Sequence, residues 1–168
     1  SKELEAAINQ QIGAEFAASF QYLSIASYFD ADDLPQLAAF FYRQADEERD
    51  HAMRFVNFLL EAGGNVQVPD LKSPKHSFRN AEEAVQFSLN QERKVTDLIN
   101  GLVERANKES DHITRSHLNW FVDEQLEELS SMDNLLKVVQ RAGEKNLLYV
   151  EDYLARRKLQ PDASSENT

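Results

Sequence analysis

The sequence predicts an all-α fold: a four-helix bundle with a long crossover between the second and third helices and a short fifth helix at the C-terminal end. Three observations carry this. Four long stretches space their apolar residues by three and four, the period of a helix with one buried face. A link rich in Gly and Pro, "GGNVQVPDLKSPKHSF" (63–78), separates the first pair of stretches from the second and is long enough to cross a bundle. The chain of 168 residues, 42% hydrophobic and 28% charged, is the size and composition of one globular domain. That domain is expected over 1–158, followed by a polar tail, 159–168.

The first helix is expected over 3–31, with Ile8, Ile12, Phe16, Ser19, Leu23, Ala26 and Phe29 as its stripe. Gly13 interrupts it at a cost of up to about 1 kcal/mol relative to Ala. "DADDLPQL" (30–37) punctuates, and Pro35 suits the first turn of the next helix. That second helix runs to about Ala62, with Leu37, Phe41, Gln44, Glu48, His51, Phe55 and Leu59 on one face. Gly63 and Gly64 stop it, and Val66 and Val68 allow a short extended piece in the link. Asn80 and Glu83 have capping-box spacing ahead of a third helix over 81–108. Its stripe is Val85, Leu89, Glu92, Val95 or Thr96, Ile99 and Val103. After the turn "KESD", a fourth helix from His112 to Ala142 carries Leu118, Phe121, Val122, Gln125, Leu129, Met132, Leu136 and Val139. Gly143 ends it, and 146–158 forms the fifth helix, whose Leu147, Leu148, Tyr149 and Val150 are more apolar than a monomer leaves in water.

The formal net charge of −11 argues against nucleic acid and anionic membrane as partners and is compatible with cation handling. The absence of cysteine removes disulfides, thiolate metal sites and iron–sulfur clusters together, and fits a reducing compartment. No apolar run approaches the length of a membrane span, and "SKELEAAINQQ" lacks the apolar core of a signal peptide.

Each long helix breaks its apolar stripe with a polar residue near its middle. The first has Glu15, the second Glu48 and His51, the third Glu92, the fourth Gln125. Glu48 and His51 are three apart and project from one face. Tyr22 lies two turns beyond Glu15 on the same side. Alone, "EERDH" is an ordinary charged helix face, and Tyr22 and Trp120 are ordinary core aromatics. His76 reads as solvated, and His112 and His117 as caps or surface residues. Joint placement changes the reading, because helical phase turns groups on four helices inward at similar depth. Several carboxylates in one core repel each other and lose hydration, and divalent cations relieve both costs. Three carboxylates and an imidazole suit a first-row metal better than calcium. Two metals fit better than one, with Glu48 bridging, Glu15 and His51 on one side and Glu92 on the other. The fourth helix has Gln125 and Glu128 where a symmetric site would have Glu and His, so the second site should be the weaker.

The chain resembles the bacterial non-haem ferritins over about 3–158, through "EFAASFQYLSIASYF", "EERDH", "QER" and "WFVDEQLEE" in that order on four helices. The resemblance implies a ferritin-like bundle in which Glu15, Glu48, His51, Glu92 and Gln125 form a dinuclear ferroxidase centre. It implies that Glu47, Glu124, Glu127 and Glu128, outside those five, hold or pass a third iron, and that Tyr22 is a nearby electron donor or hydrogen-bonding group. It further implies Fe(II) as substrate, O2 or hydrogen peroxide as oxidant, storage of ferric mineral in a homo-oligomeric shell of twenty-four subunits, and the cytoplasm. A transit peptide already removed would leave no trace, so the sequence leaves a plastid location open beside the expected cytoplasm.

Two departures qualify the resemblance. Arg49 follows the bridging glutamate where haem-binding relatives have methionine, and Glu128 stands where they keep histidine, so no haem is expected. Arg115 and Leu118 occupy places where animal ferritins are acidic, which puts the acidic three-fold iron entrance in question. The alternative function is a diiron protein that scavenges peroxide or oxygen without storing iron. Absence of cysteine argues against the rubrerythrin form of it.

Overall fold

The computed structural model describes residues 1–157; the expected tail, 159–168, lies outside the described residues. The order is α1 (Lys2–Ala31), α2 (Pro35–Glu61), α3 (Ala81–Lys108), α4 (His112–Ala142), a 3-10 turn (Glu144–Asn146) and α5 (Leu147–Arg157). Among the described residues there is no strand, so Val66 and Val68 form no paired extended piece.

Local chemistry sets the helix starts. Ser1, Asn80 and Asp111 accept from the backbone N–H three residues on, at 3.1, 2.9 and 2.9 Å. The expected reciprocal bond of the capping box is shifted by one residue: Glu83 accepts from the Arg79 amide at 2.7 Å. Helix α2 has no side-chain cap of its own, since Leu34 precedes it. The carboxylate of Glu151 on α5 supplies one, accepting from the amides of Gln36 and Leu37 at 2.9 and 2.8 Å. Glu144 does the same for α3 at Glu82, at 3.1 Å.

The crossover runs back along α1 in the same direction as that helix. Asn9 donates to the Asn65 carbonyl at 2.8 Å and accepts from the Gln67 amide at 2.7 Å. About three turns before the end of α1, Gln21 does likewise with both backbone groups of Lys75, at 3.0 and 2.9 Å. The link therefore begins beside the start of α1 and delivers α3 beside its end, which makes α2 and α3 parallel. Between these clasps, Pro69 presses on Gly13 so closely that a Cβ there would lie 2.4 Å from the ring. The glycine that weakens α1 is the place where the crossover touches it.

The apolar core falls into two clusters. One gathers Tyr22, Phe29, Phe41, Leu89 and Met132 at one end of the bundle. The other gathers Ile8, Ile12, Phe55, Ile99, Leu118 and Phe121 at the opposite end. A layer of buried polar side chains lies between them. Five expected stripe residues differ: Phe16, Val103 and Leu129 are half-buried at the edge, and Leu23 and Val122 are exposed, because on α1 and α4 the inward line passes through Glu15, Tyr22 and Gln125 instead. On α5, Leu148 and Tyr149 face solvent as expected, whereas Val150 is buried against the bundle and Leu147 packs at its edge.

Candidate metal centre

The polar layer contains Glu15, Glu48, His51, Glu92, Gln125 and Glu128, all under 5% exposed. Each is held there by the amphipathic phase of its helix, and α1, α2, α3 and α4 each contribute. Three overlapping groups form. Glu15, Glu48 and His51 bring one donor atom each within 4.8 Å of one another, and so do Glu48, Glu92 and Glu128, and His51, Glu124 and Glu128. Glu48, His51 and Glu128 each belong to two of the three groups.

His51 Nδ1 lies 3.3 Å from Glu48 Oε2 and 3.8 Å from Glu15 Oε2. Its Nε2 faces Glu124 Oε1 at 3.7 Å. Burial lowers the imidazole pKa, but the nearby Glu15 carboxylate, then Glu124 and Glu92, outweigh it and raise the pKa overall. Trp120 meets the ring edge-on at 5.4 Å between centroids.

The carboxylates divide by how they are satisfied. Both oxygens of Glu92 are occupied: the Tyr22 hydroxyl donates to Oε1, and Gln125 Nε2 donates to Oε2 at 3.2 Å. Gln125 Nε2 also donates to Thr96 Oγ1 at 2.9 Å. Glu15 Oε2, Glu48 Oε1 and Glu128 Oε2, by contrast, are buried with no hydrogen-bond partner. Buried carboxylate oxygens left so are costly and point to a missing electropositive partner. Burial, then the charges of Glu15 and Glu92, push Glu48 well above the usual carboxylate range. Burial, then Glu92, push Glu128 up to about 9. The same layer raises Tyr22 above the usual phenol value, through burial and then the charge of Glu92. The orphaned oxygens, together with an imidazole whose Nδ1 faces two of those carboxylates, are donors of the kind that hold hard or borderline divalent cations.

Not every expected residue comes in. Glu128 is buried inside the layer, not outside it, because α4 turns Gln125 and Glu128 inward together one turn apart. Glu124 is half-buried at the rim, Glu47 approaches Glu128 from the exposed side of α2, and Glu127 points to solvent and joins none of the groups. Gln125 serves Glu92 as a hydrogen-bond donor. His117 is neither cap nor surface residue: its ring stacks on Phe58 at 4.1 Å and 9°, and burial lowers its pKa. Asp111 caps α4, and His112 follows it. Gln11 does not stand out in the sequence, and Thr96 does so only as an alternative stripe position to Val95; the signal of each toward the site is its place one turn from Glu15 or Glu92.

A crossover four-helix bundle with a carboxylate–imidazole layer across its middle defines a ferritin-like metal-binding protein. The ferritin-like domain model matches residues 5–142. The chain is 43% identical over 154 residues to ferritin BfrB of Mycolicibacterium smegmatis, covering 92% of this chain and 84% of that one. It is 38% identical over 159 residues to the bacterial non-heme ferritin of Staphylococcus epidermidis, covering 94% and 96%. The open pore ferritin of the hyperthermophilic archaeon Archaeoglobus fulgidus superposes with a TM-score of 0.89 at 34% identity, over 92% of this chain and 96% of that one. The chain belongs to the ferritin family of iron-storage proteins.

Proposed function

We propose that this ferritin oxidises Fe(II) at the buried polar layer and stores the ferric product. Fe(II) is substrate and cargo, and O2 or hydrogen peroxide is the oxidant. The observation that carries the reading is that Glu15, Glu48 and Glu128, each with an orphaned carboxylate oxygen, fall with His51, Glu92 and Glu124 into three overlapping donor groups in the buried core. Glu48 bridges. Glu15 and His51 complete one site, and Glu92 and Glu128 the other. Each Fe(II) gives up one electron, and a pair reduces O2 with two protons to hydrogen peroxide.

The protein supplies charge and geometry. Carboxylate charge favours the ferric over the ferrous state. The Tyr22 hydroxyl and the Gln125 amide hold Glu92 in one rotamer, and Tyr22 is also the nearest phenol that can donate an electron. His51 presents Nδ1 to the first site and Nε2 to Glu124, so Glu124, Glu128 and the nearby Glu47 form a third, more open position through which iron leaves. The exposed Glu127 extends that acidic path toward bulk water. A shell of subunits in the cytoplasm encloses the product, and the exposed Leu148 and Tyr149 of α5 are part of its contact surface.

Aerobic loading of the full-length protein with Fe(II), followed by sedimentation and iron analysis, tests the proposal. A particle near twenty-four subunits that retains far more ferric iron per subunit than the ligand sets can hold is expected, with Glu48→Ala abolishing rapid oxidation. Oxidation of two irons per subunit without retention would favour the scavenging alternative. A stable monomer that takes up no iron would exclude both.

A further inference from the structure

We infer that Gln11 is a positioning residue for the metal centre, fixing Glu15 as a ligand through a single oxygen; this rests on the metal-binding reading of the layer. Gln11 lies one turn before Glu15 on α1, is 2% exposed, and donates from Nε2 to Glu15 Oε1 at 2.8 Å. An ionised carboxylate only accepts, so the amide nitrogen has to face it. That bond consumes one Glu15 oxygen and leaves the other, Oε2, unpartnered and directed at His51 Nδ1. A glutamate has three rotatable bonds, and nothing else among the described residues hydrogen-bonds this carboxylate within 3.5 Å. Without Gln11, Glu15 is free to bind through both oxygens, or to swing away.

Gln11 also borders the outside of the bundle. It helps line a cavity of about 850 Å³ on the outside of the bundle, between α1, the crossover and α3, with Gly13, Pro69, Leu98 and Leu102. Gln11 therefore stands between that groove and the metal layer, and its amide faces the layer side. The corresponding arrangement at Glu92 on α3, which Tyr22 of α1 and Gln125 of α4 hold, has no such free oxygen. The two terminal glutamates are thus presented differently: Glu92 clamped at both oxygens before metal arrives, Glu15 clamped at one.

Co(II) titration of the metal-free, full-length protein, followed by visible absorption, is the test. Hydrogen-bonded partners of metal ligands are worth roughly 10- to 100-fold in affinity. Gln11→Met, which keeps the length and the wall but has no donor, should weaken one of two Co(II) sites at least about tenfold and change its absorption band. In a Glu15→Ala background the same change should do nothing more, because Gln11 acts only through Glu15. Helical circular dichroism confirms folding, and Gln11→Asn, whose amide falls short of Glu15, replaces Gln11→Met if that variant does not fold, with the same expected loss. A native isotherm and spectrum in the variant, or losses that add in the double variant, would overturn the inference. Failure of the unmodified protein to bind Co(II) would instead overturn the metal-binding reading itself.

Discussion

Pro69 occupies the space that a side chain on Gly13 would need: a Cβ on Gly13 would lie 2.4 Å from the proline Cγ and 2.8 Å from its Cδ. Both groups are stiff, since one is a ring and the other a helix backbone. Gly13→Ala gains up to about 1 kcal/mol of helix propensity. Overpacking costs about 1–3 kcal/mol and must push the crossover outward. Set against each other, the two leave an expected net loss of up to about 2 kcal/mol, read by urea unfolding. An alanine variant that is more stable would show that the crossover yields easily and does not fix α3.

The cap that α5 lends to α2 makes a local prediction. Glu151 is 8% exposed, and its two oxygens take the Gln36 and Leu37 amides at the positive end of α2. Removing a cap costs about 1–2 kcal/mol. Glu151→Ala should therefore speed hydrogen exchange at those two amides by roughly 5- to 30-fold, with amides in the middle of α2 unchanged. Equal acceleration along the whole helix would mean that Glu151 supports the bundle globally, not the helix start.

The sequence made the helices legible because their period is long and uninterrupted, and the inward positions of α2 were all correctly placed from Leu37 to Leu59. On α1 and α4 the apolar pattern was broader than one stripe. Leu23 and Val122 were as apolar as their buried neighbours and could not be told from them by period. The ligand set was legible as the polar interruptions of the stripes. Glu128 was less so, because it stands among Glu124 and Glu127, and only the rotation of α4 separates a buried carboxylate from an exposed one. The clasps of Asn9 and Gln21 on the crossover were not legible, since contacts between residues 54 or more positions apart leave no local periodicity.

Trp120 is the single tryptophan, and its ring meets the His51 ring while the Arg54 guanidinium covers it at 3.7 Å. A transition-metal ion held by His51 would thus lie close to the only indole. Co(II) binding should quench Trp120 emission in step with occupancy. His51→Ala should remove most of that response while leaving the emission of the metal-free protein. Quenching that survives in His51→Ala would place the ion elsewhere.

The metal-free protein should lose stability as pH rises, and Glu128 should be a principal cause. Its folded pKa is pushed up to about 9, first by burial and then by Glu92, against an ordinary value of 4.5. Between those values the folded protein holds a proton that the unfolded chain has released. Stability then falls as pH rises, by at most about 1.4 kcal/mol per pH unit for one group, and levels off above the folded value. Glu48 acts in the same sense, raised by burial and by Glu15 and Glu92. His51 does so too, because a raised imidazole pKa contributes stability at low pH that is lost as pH passes the folded value. Glu92 is a poorer place to relieve this strain, since Tyr22 and Gln125 already donate to it. Glu128 has an unpartnered oxygen and less to lose. Glu128→Gln should leave the metal-free protein unchanged near pH 4.5 and more stable near pH 8, with a shallower slope between. Glu48 and His51 keep the slope from vanishing. Co(II) added at pH 8 should stabilise the unmodified protein and release protons, and should stabilise Glu128→Gln less. Thermal unfolding of chelator-treated protein across this range is the measurement. Stability that rises with pH in the unmodified protein would mean that the layer is already neutralised without metal, and would remove the electrostatic reason for placing a cation there.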